Sequence, residues 1–228
     1  MKYLVSVEGG EFTGKTVVAV PAVENFFLLR GYEVITSREP GGSKKAEAMR
    51  KDIFEKLRQG IGVEEQALLF NQVRKIHINE VIRPFLASGD NKAIILDRYL
   101  DSTRVYQGLE GNLNFEKIKE FETKYVGNVF PNITMILYFP ENKFETVLRQ
   151  RTKSALMKHG QANEITPFDN ATIQEHLQRQ RYYLQLPGIA KQNNENRHFL
   201  QIDASGTPDH VANLISKKIS PLVPFVTV

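Results

Sequence analysis

Cysteine is absent from the 228 residues, and so is tryptophan. Without cysteine there is no disulfide, no thiolate zinc site and no cysteine nucleophile. Histidine is scarce and scattered: His77, His159, His176, His198 and His210 have no ligand spacing to one another. Each therefore reads as a surface or packing residue rather than a metal ligand. No apolar run reaches membrane-spanning length, and the apolar part of the opening "MKYLVSVEGG" is too short for a secretory signal. The chain reads as cytoplasmic, with no membrane partner. Runs of one charge are missing as well. Thirty Lys and Arg against 26 Asp and Glu leave a formal charge of +4, which suits a small anionic substrate better than a nucleic acid. Repeats, low-complexity tracts and Ser/Gly/Pro linkers do not occur, so 1–228 is expected to be a single domain with room for a full core.

What is present is an alternation of two textures. Short runs rich in β-branched and aromatic residues fall at 3–8, 32–36, 92–97, 133–139 and 198–203. Between them lie stretches with helical spacing, at 15–30, 44–58, 64–86, 114–125, 143–151, 170–190 and 208–219. Near-continuous apolar strands separated by helices predict an α/β fold of three layers, a five-stranded parallel sheet flanked by helices. Pro21 is expected to kink or loosen the first helix. Residues 152–167 are polar, basic and weakly periodic, and read as a mobile excursion rather than a core element. The closing "PLVPFVTV" reads as a docked tail or a partner contact.

Directly after the first strand, "EGGEFTGKT" matches G-x-x-x-x-G-K-[ST] at Gly9, Gly14, Lys15 and Thr16. Strand, loop and helix follow in the order that a phosphate-binding loop requires. Its backbone N–H groups and the helix N-terminus favour polyphosphate. Lys15 can reach the terminal phosphates, and the Thr16 hydroxyl can ligate Mg2+. Asp97 closes the third strand, where an acidic residue would hold that ion or its water shell. Capping of the next helix is the competing use of such an Asp.

A regulatory GTPase would need N-K-x-D and a D-x-x-G switch; "NKFE" at 142–145 is a near miss and "DRYL" lacks the glycine. A small phosphotransferase with a second anionic substrate remains. Arginines suited to that substrate sit in four separated segments: Arg38 in "SREPGG", Arg50, Arg74 and Arg98. Singly each would pass as a surface ion-pair partner; converging on one sheet edge they form a clamp for phosphate and base.

At this point the chain resembles the thymidylate kinase family of P-loop nucleoside monophosphate kinases. The resemblance rests on "VEGGEFTGKT", "SREPGG", "ALLFNQVR", "DRYLDSTRVYQG", "FD", "YLQL" and "IDAS", in family order across nearly the whole chain. It implies transfer of the γ-phosphoryl group of ATP to dTMP with Mg2+, in a homodimer, beneath a mobile lid at about 149–168. Gly9, Gly10, Glu11, Phe12, Thr13, Gly14, Lys15 and Thr16, with Arg149, would hold ATP. Thr16 and Asp97 would hold the metal. Phe70 would stack on thymine, Arg74 would donate to a base carbonyl, and Thr103 and Gln107 would complete base recognition with Ser102 beside them. Arg50 and Arg98 would hold the monophosphate, with Arg38 and Pro40 shaping the pocket. Tyr106 would lie under the sugar where a 2′-hydroxyl would clash, and Glu11 near the 3′-hydroxyl. Lys15, Glu11, Asp97, Arg98 and Arg151 would form the catalytic set.

The chain departs from the family pattern at Phe12, where Arg or Gly is expected, and in the lid, where "GQANEI" replaces an Asp-Arg followed by an acidic residue. Arg149, Arg151, Lys153 and Lys158 remain nearby, though Lys cannot give the bidentate contact of Arg. An active enzyme with an altered lid, a kinase for another deoxynucleotide such as dUMP, and an impaired nucleotide-binding relative all fit these departures.

Overall fold

In the computed structural model, which describes residues 1–159 and 167–226, all five expected strands enter one parallel sheet. They are β1 (Lys2–Gly9), β2 (Glu33–Arg38), β3 (Lys92–Asp97), β4 (Ile133–Tyr138) and β5 (His198–Asp203), in the order β2-β3-β1-β4-β5. The central strand β1 pairs with β3 from Lys2↔Lys92 to Val7↔Asp97, and with β4 from Val5↔Ile133 to Gly9↔Leu137. That register places the carboxyl ends of β1 and β3 side by side, so the phosphate loop and Asp97 meet at one edge, where open α/β sheets bind ligands.

Side chains alternate across β1 as a strand requires. Val5 and Val7 face α1 (Val20–Leu28), α7 (Phe144–His159) and α9 (Pro208–Ile219), in a core that includes Phe27, Leu148 and Ile215. Leu4 faces the other layer, where Ile94 and Leu96 pack with Ile78, Ile82 and Tyr99. Ser6 and Glu8 continue that second row. Ser6 bonds Thr134 at 3.0 Å, and both Glu8 oxygens take partners from the segment after β3.

Two of the expected helices are interrupted, each just ahead of a proline. A wide π-type turn, Lys15–Ala19, precedes α1, in which Pro21 is the second residue. Another, Ile78–Ile82, separates α3 (Val63–His77) from α4 (Arg83–Ala87), which carries Pro84. Proline has no N–H for the carbonyl four residues back and crowds it; a widened turn accommodates both effects. The stretch after β3 forms α5 (Leu100–Thr103) and a further wide turn, Arg104–Glu110, which spacing did not reveal. The helix expected at 114–125 is α6 (Phe115–Phe121) followed by the wide turn Glu122–Val126.

The helix expected at 143–151 runs further than its spacing predicts: α7 is unbroken from Phe144 to His159, into the expected excursion at 152–167. Good helix formers such as Ala155, Leu156 and Met157 carry it past Arg151, with no Gly or Pro before Gly160. The remainder of the expected lid, 160–166, lies outside the described residues. Helix α2 (Lys44–Arg58) is capped by Ser43, and α8 (Ile173–Gln192) opens on a Thr172/Glu175 capping box. The C-terminal segment docks on the chain itself. Val223 is buried, Val226 N–H donates to Arg30 O at 2.9 Å, and Arg30 Nε donates to Val223 O at 3.2 Å. Among the described residues no helix is long and apolar enough to cross a membrane.

Candidate active site

The loop between β1 and the first helix takes its shape from three left-handed positions, Gly9, Phe12 and Gly14. Gly9 has φ 139, and a Cβ there would stand 2.6 Å from Leu137 O on β4, which only glycine avoids. Phe12 also has positive φ, at 61, an uncommon conformation for a bulky residue. Its ring meets the His176 ring of α8 edge-on, with centroids 6.1 Å apart. Phe12 is thus an apolar strut from the loop to α8, which accounts for a side chain that the sequence left without a role.

Lys15 is buried and folded back onto its own loop. Its Nζ donates to Gly10 O at 2.6 Å and Gly9 O at 3.0 Å. Burial, aided by the charge of Arg98, pushes its ammonium down to about 8 against the opposing pull of Asp97, Glu11 and Glu8. Thr13 Oγ1 ties the loop by donating to Gly10 O at 2.9 Å. The Thr16 hydroxyl donates directly to Asp97 Oδ2, so the two oxygen groups expected to hold a cation are already in contact. Among the described residues no group of three or more His, Cys, Asp or Glu forms a metal cage. One carboxylate and one hydroxyl suit Mg2+, which keeps several waters and takes phosphate oxygens as further ligands.

Arg98 occupies a left-handed backbone position, φ 67, immediately after β3. That turn swings its guanidinium back over the loop, where it reaches Gly9 O at 3.1 Å, Glu11 Oε1 at 3.1 Å and Tyr183 OH at 2.7 Å. Glu8 braces the turn from below: its carboxyl accepts Tyr99 N–H at 2.7 Å and Ser102 Oγ at 2.8 Å. Burial, with Asp101 nearby, pushes the Glu8 carboxyl up to about 8.

Glu11 is the hub of the site. Its carboxylate accepts from Tyr106 OH, Arg98 and, at 2.5 Å, Arg179 Nη1 of α8. His176 Nδ1 stands 3.4 Å from the same carboxylate, but its alignment is too poor for a hydrogen bond. Burial alone would raise the Glu11 carboxyl; the nearness of His176 and the charges of Arg98, Arg179 and Lys15 outweigh it and hold the group well below the usual carboxylate range. Arg179 is itself fixed by a two-pronged pair with Glu110 at 2.7 and 2.8 Å. The Tyr106 ring has two guanidiniums near it, Arg179 4.8 Å and Arg98 5.3 Å from its centroid.

A cleft of about 290 Å³ opens beside this hub. Lys15, Thr16 and Asp97 line one end, and Phe70, Arg74, Thr103 and Gln107 the other, with Glu11, Arg98, Ser102 and Tyr106 between them. Arg38, Pro40 and Arg50 form its rim; Arg38 pairs with Glu47 at 3.0 Å and Arg50 donates to Pro40 O at 2.7 Å. Each clamp arginine therefore has an internal acceptor for which an incoming phosphate must compete. The two arginines assigned to α7 stand elsewhere. Arg149 pairs with Glu145 at 2.8 Å and lines a second hollow behind Phe12. Arg151 donates to Ala204 O and Gly206 O at 3.3 and 2.9 Å, bracing the loop after β5 without lining either space.

Sequence reasoning missed Glu8, Glu39, His176, Arg179 and Tyr183. The available signal was the buried stripe on α8, His176, Arg179, Gln180 and Tyr183 at helical spacing. Because that stripe is polar, no apolar periodicity marks it.

A family model described as thymidylate kinase matches residues 7–213. The thymidylate kinase of Bartonella henselae is 34% identical over 214 residues, covering 93% of each chain. That of Protochlamydia amoebophila is 32% identical over 211 residues, covering 92% of this chain and 88% of the relative. The crystal structure of thymidylate kinase from Ehrlichia chaffeensis shares the fold, with a TM-score of 0.63 over 97% of both chains at 22% identity.

Proposed function

The chain belongs to the thymidylate kinase family, and on that premise we propose how its cleft moves the γ-phosphoryl group of ATP to dTMP, giving dTDP and ADP. The observation that carries the reading is the single cleft: loop lysine and cation pair at one end, an aromatic and arginine pocket at the other. The acceptor is already an anionic phosphate oxygen, so no general base is needed. Rate must come from in-line placement of the two phosphates and from neutralising their charge.

Lys15 leaves the Gly9 and Gly10 carbonyls for the terminal phosphates of ATP. Thr16 and Asp97 would hold Mg2+, which would supply positive charge against the polyphosphate. Arg98 sits between donor and acceptor and bridges them. Phe70 and Arg74 receive the base, and the Tyr106 ring carries the sugar. Phe12 leaves the loop without a second cation beside Lys15. Arg149, which lines the hollow behind Phe12, belongs to the donor side; Arg179, paired with both Glu11 and Glu110, holds the hub in place, and Arg151 braces the loop after β5. Pairing of two copies is part of the same proposal, checked by mass in solution; within the chain, Leu69 and Val73 of α3 already pack against α2.

Two outcomes test this division. Asp97→Asn is expected to raise the Mg2+ concentration for half-maximal rate by at least about tenfold, read from a Mg2+ titration at saturating nucleotides. An unchanged requirement removes Asp97 from the metal. The second concerns pH. ATP favours the charged form of Lys15, so losing its proton weakens the encounter; kcat/KM for ATP is expected to fall as pH rises through about 8. A pH profile that stays level through that point contradicts the assignment.

A further inference from the structure

Beneath the acceptor end lies a buried polar chain that none of the chemistry above uses. Glu39, in the loop after β2, is 5% exposed. Its Oε2 accepts from Arg74 Nε at 2.6 Å, and its Oε1 lies 3.0 Å from His77 Nδ1. His77 is fully buried and pairs its Nε2 with Ser37 Oγ at 2.8 Å. Arg74 and His77 are three apart on α3, adjacent on one face, so a single carboxylate spans both. The loop closes tightly on this chain. Gly42 has φ 90, and a Cβ there would stand 2.5 Å from Ser37 Oγ and run into the His77 ring.

All five N–H groups of Arg74 have partners. Nε goes to Glu39; Nη1 reaches Asn71 Oδ1 at 2.9 Å and Thr103 Oγ1 at 3.3 Å; Nη2 reaches Tyr99 O and Thr103 Oγ1, both at 3.2 Å. The charge-assisted bond to Glu39 is the shortest of them and fixes one edge of the guanidinium. The contacts to Thr103 are long and share one acceptor between two nitrogens. They face the cleft, and they are the ones a base carbonyl can compete for.

We propose that Glu39, held by His77 and Ser37, is a positioning residue that aims the terminal fork of Arg74 at the acceptor base. A guanidinium has donors only, so a fixed fork accepts a pyrimidine carbonyl and rejects the amino group that cytosine carries in its place. Glu39 thereby sets selectivity for dTMP over dCMP. The inference rests on Arg74 receiving the base, as in the proposed function.

The experiment is steady-state kinetics with dTMP and with dCMP for the wild type, Glu39→Gln, Arg74→Lys and the double variant. Glu39→Gln is expected to raise KM for dTMP by on the order of tenfold with kcat little changed, and to lower the dTMP-to-dCMP ratio of kcat/KM. Added to Arg74→Lys, it is expected to do nothing more, because the side chain it aims is already altered. Full additivity in the double variant, or a fall in kcat alone with the ratio intact, overturns the proposal. If Arg74→Lys itself leaves KM and the ratio unchanged, the reading of Arg74 falls and the inference goes with it. Should Glu39→Gln fail to fold, His77→Asn loosens Glu39 while keeping its charge. It is expected to move the ratio the same way by less, and an unchanged ratio there overturns the proposal equally.

Discussion

Lys15→Ala is expected to lower dTMP-dependent ADP formation by on the order of 10³-fold or more while the protein stays folded. The two halves of that expectation have separate causes. In the fold, the Lys15 ammonium reaches groups of its own loop, the Gly9 and Gly10 carbonyls and, at 3.5 Å, Thr13 Oγ1, and burial already disfavours its charge, pushing it down to about 8. Losing two such bonds costs about 1 kcal/mol each, and relief of the desolvation penalty offsets part of that. On the proposed reaction, the same ammonium is the cation that the loop would bring to the terminal phosphates, in a site where charge is poorly screened. A thermal melt beside the ADP assay separates the halves. A folded variant keeping more than about a tenth of the wild-type rate would place the loop's work elsewhere.

Arg98→Ala is expected to have an effect of similar size and a different signature. The side chain ties the loop to α8: Gly9 O, Ser102 Oγ, Tyr183 OH and Glu11 all accept from it. On the proposed function it bridges donor and acceptor, so both the bound monophosphate and the transferring group would lose a partner. KM for dTMP should rise and kcat should fall, with kcat/KM lower by on the order of 10³-fold. Arg98→Lys should recover little, because one ammonium cannot span those acceptors. Glu11 keeps Arg179 in either variant, so its charge is not left unpaired. A rise in KM with kcat intact would restrict Arg98 to ground-state binding.

The sheet was legible because each strand is a short apolar run between helical stretches, and 92–97 coincides with β3 as observed. The phosphate loop was legible because its chemistry needs glycines at fixed spacing. Arg38, Arg50, Arg74 and Arg98 lie far apart along the chain but line one cleft. What escaped were the partners of those residues. Glu39 and Glu8 look like ordinary acids in a loop and at a strand end; only burial against Arg74 and beneath the β3 turn gives them a use. Arg179 and His176 sit, with Gln180, on the N-terminal half of a helix face whose buried residues there are polar, so hydropathy could not separate them from a solvated face. Helix interruptions before Pro21 and Pro84 were half legible: the prolines are plain in the sequence, but the widened turn that accommodates them depends on the packing around it.

The most direct test of the account is ADP formation from ATP and Mg2+ with dTMP, dUMP, dCMP and AMP side by side, using Lys15→Ala as the blank. The account predicts strong ADP formation with dTMP, weaker with dUMP, and little above the blank with dCMP or AMP. Binding of dTMP with no acceptor-dependent ADP would contradict it, and would mean that Phe12 and the arrangement around Glu11 hold nucleotide without transferring phosphate.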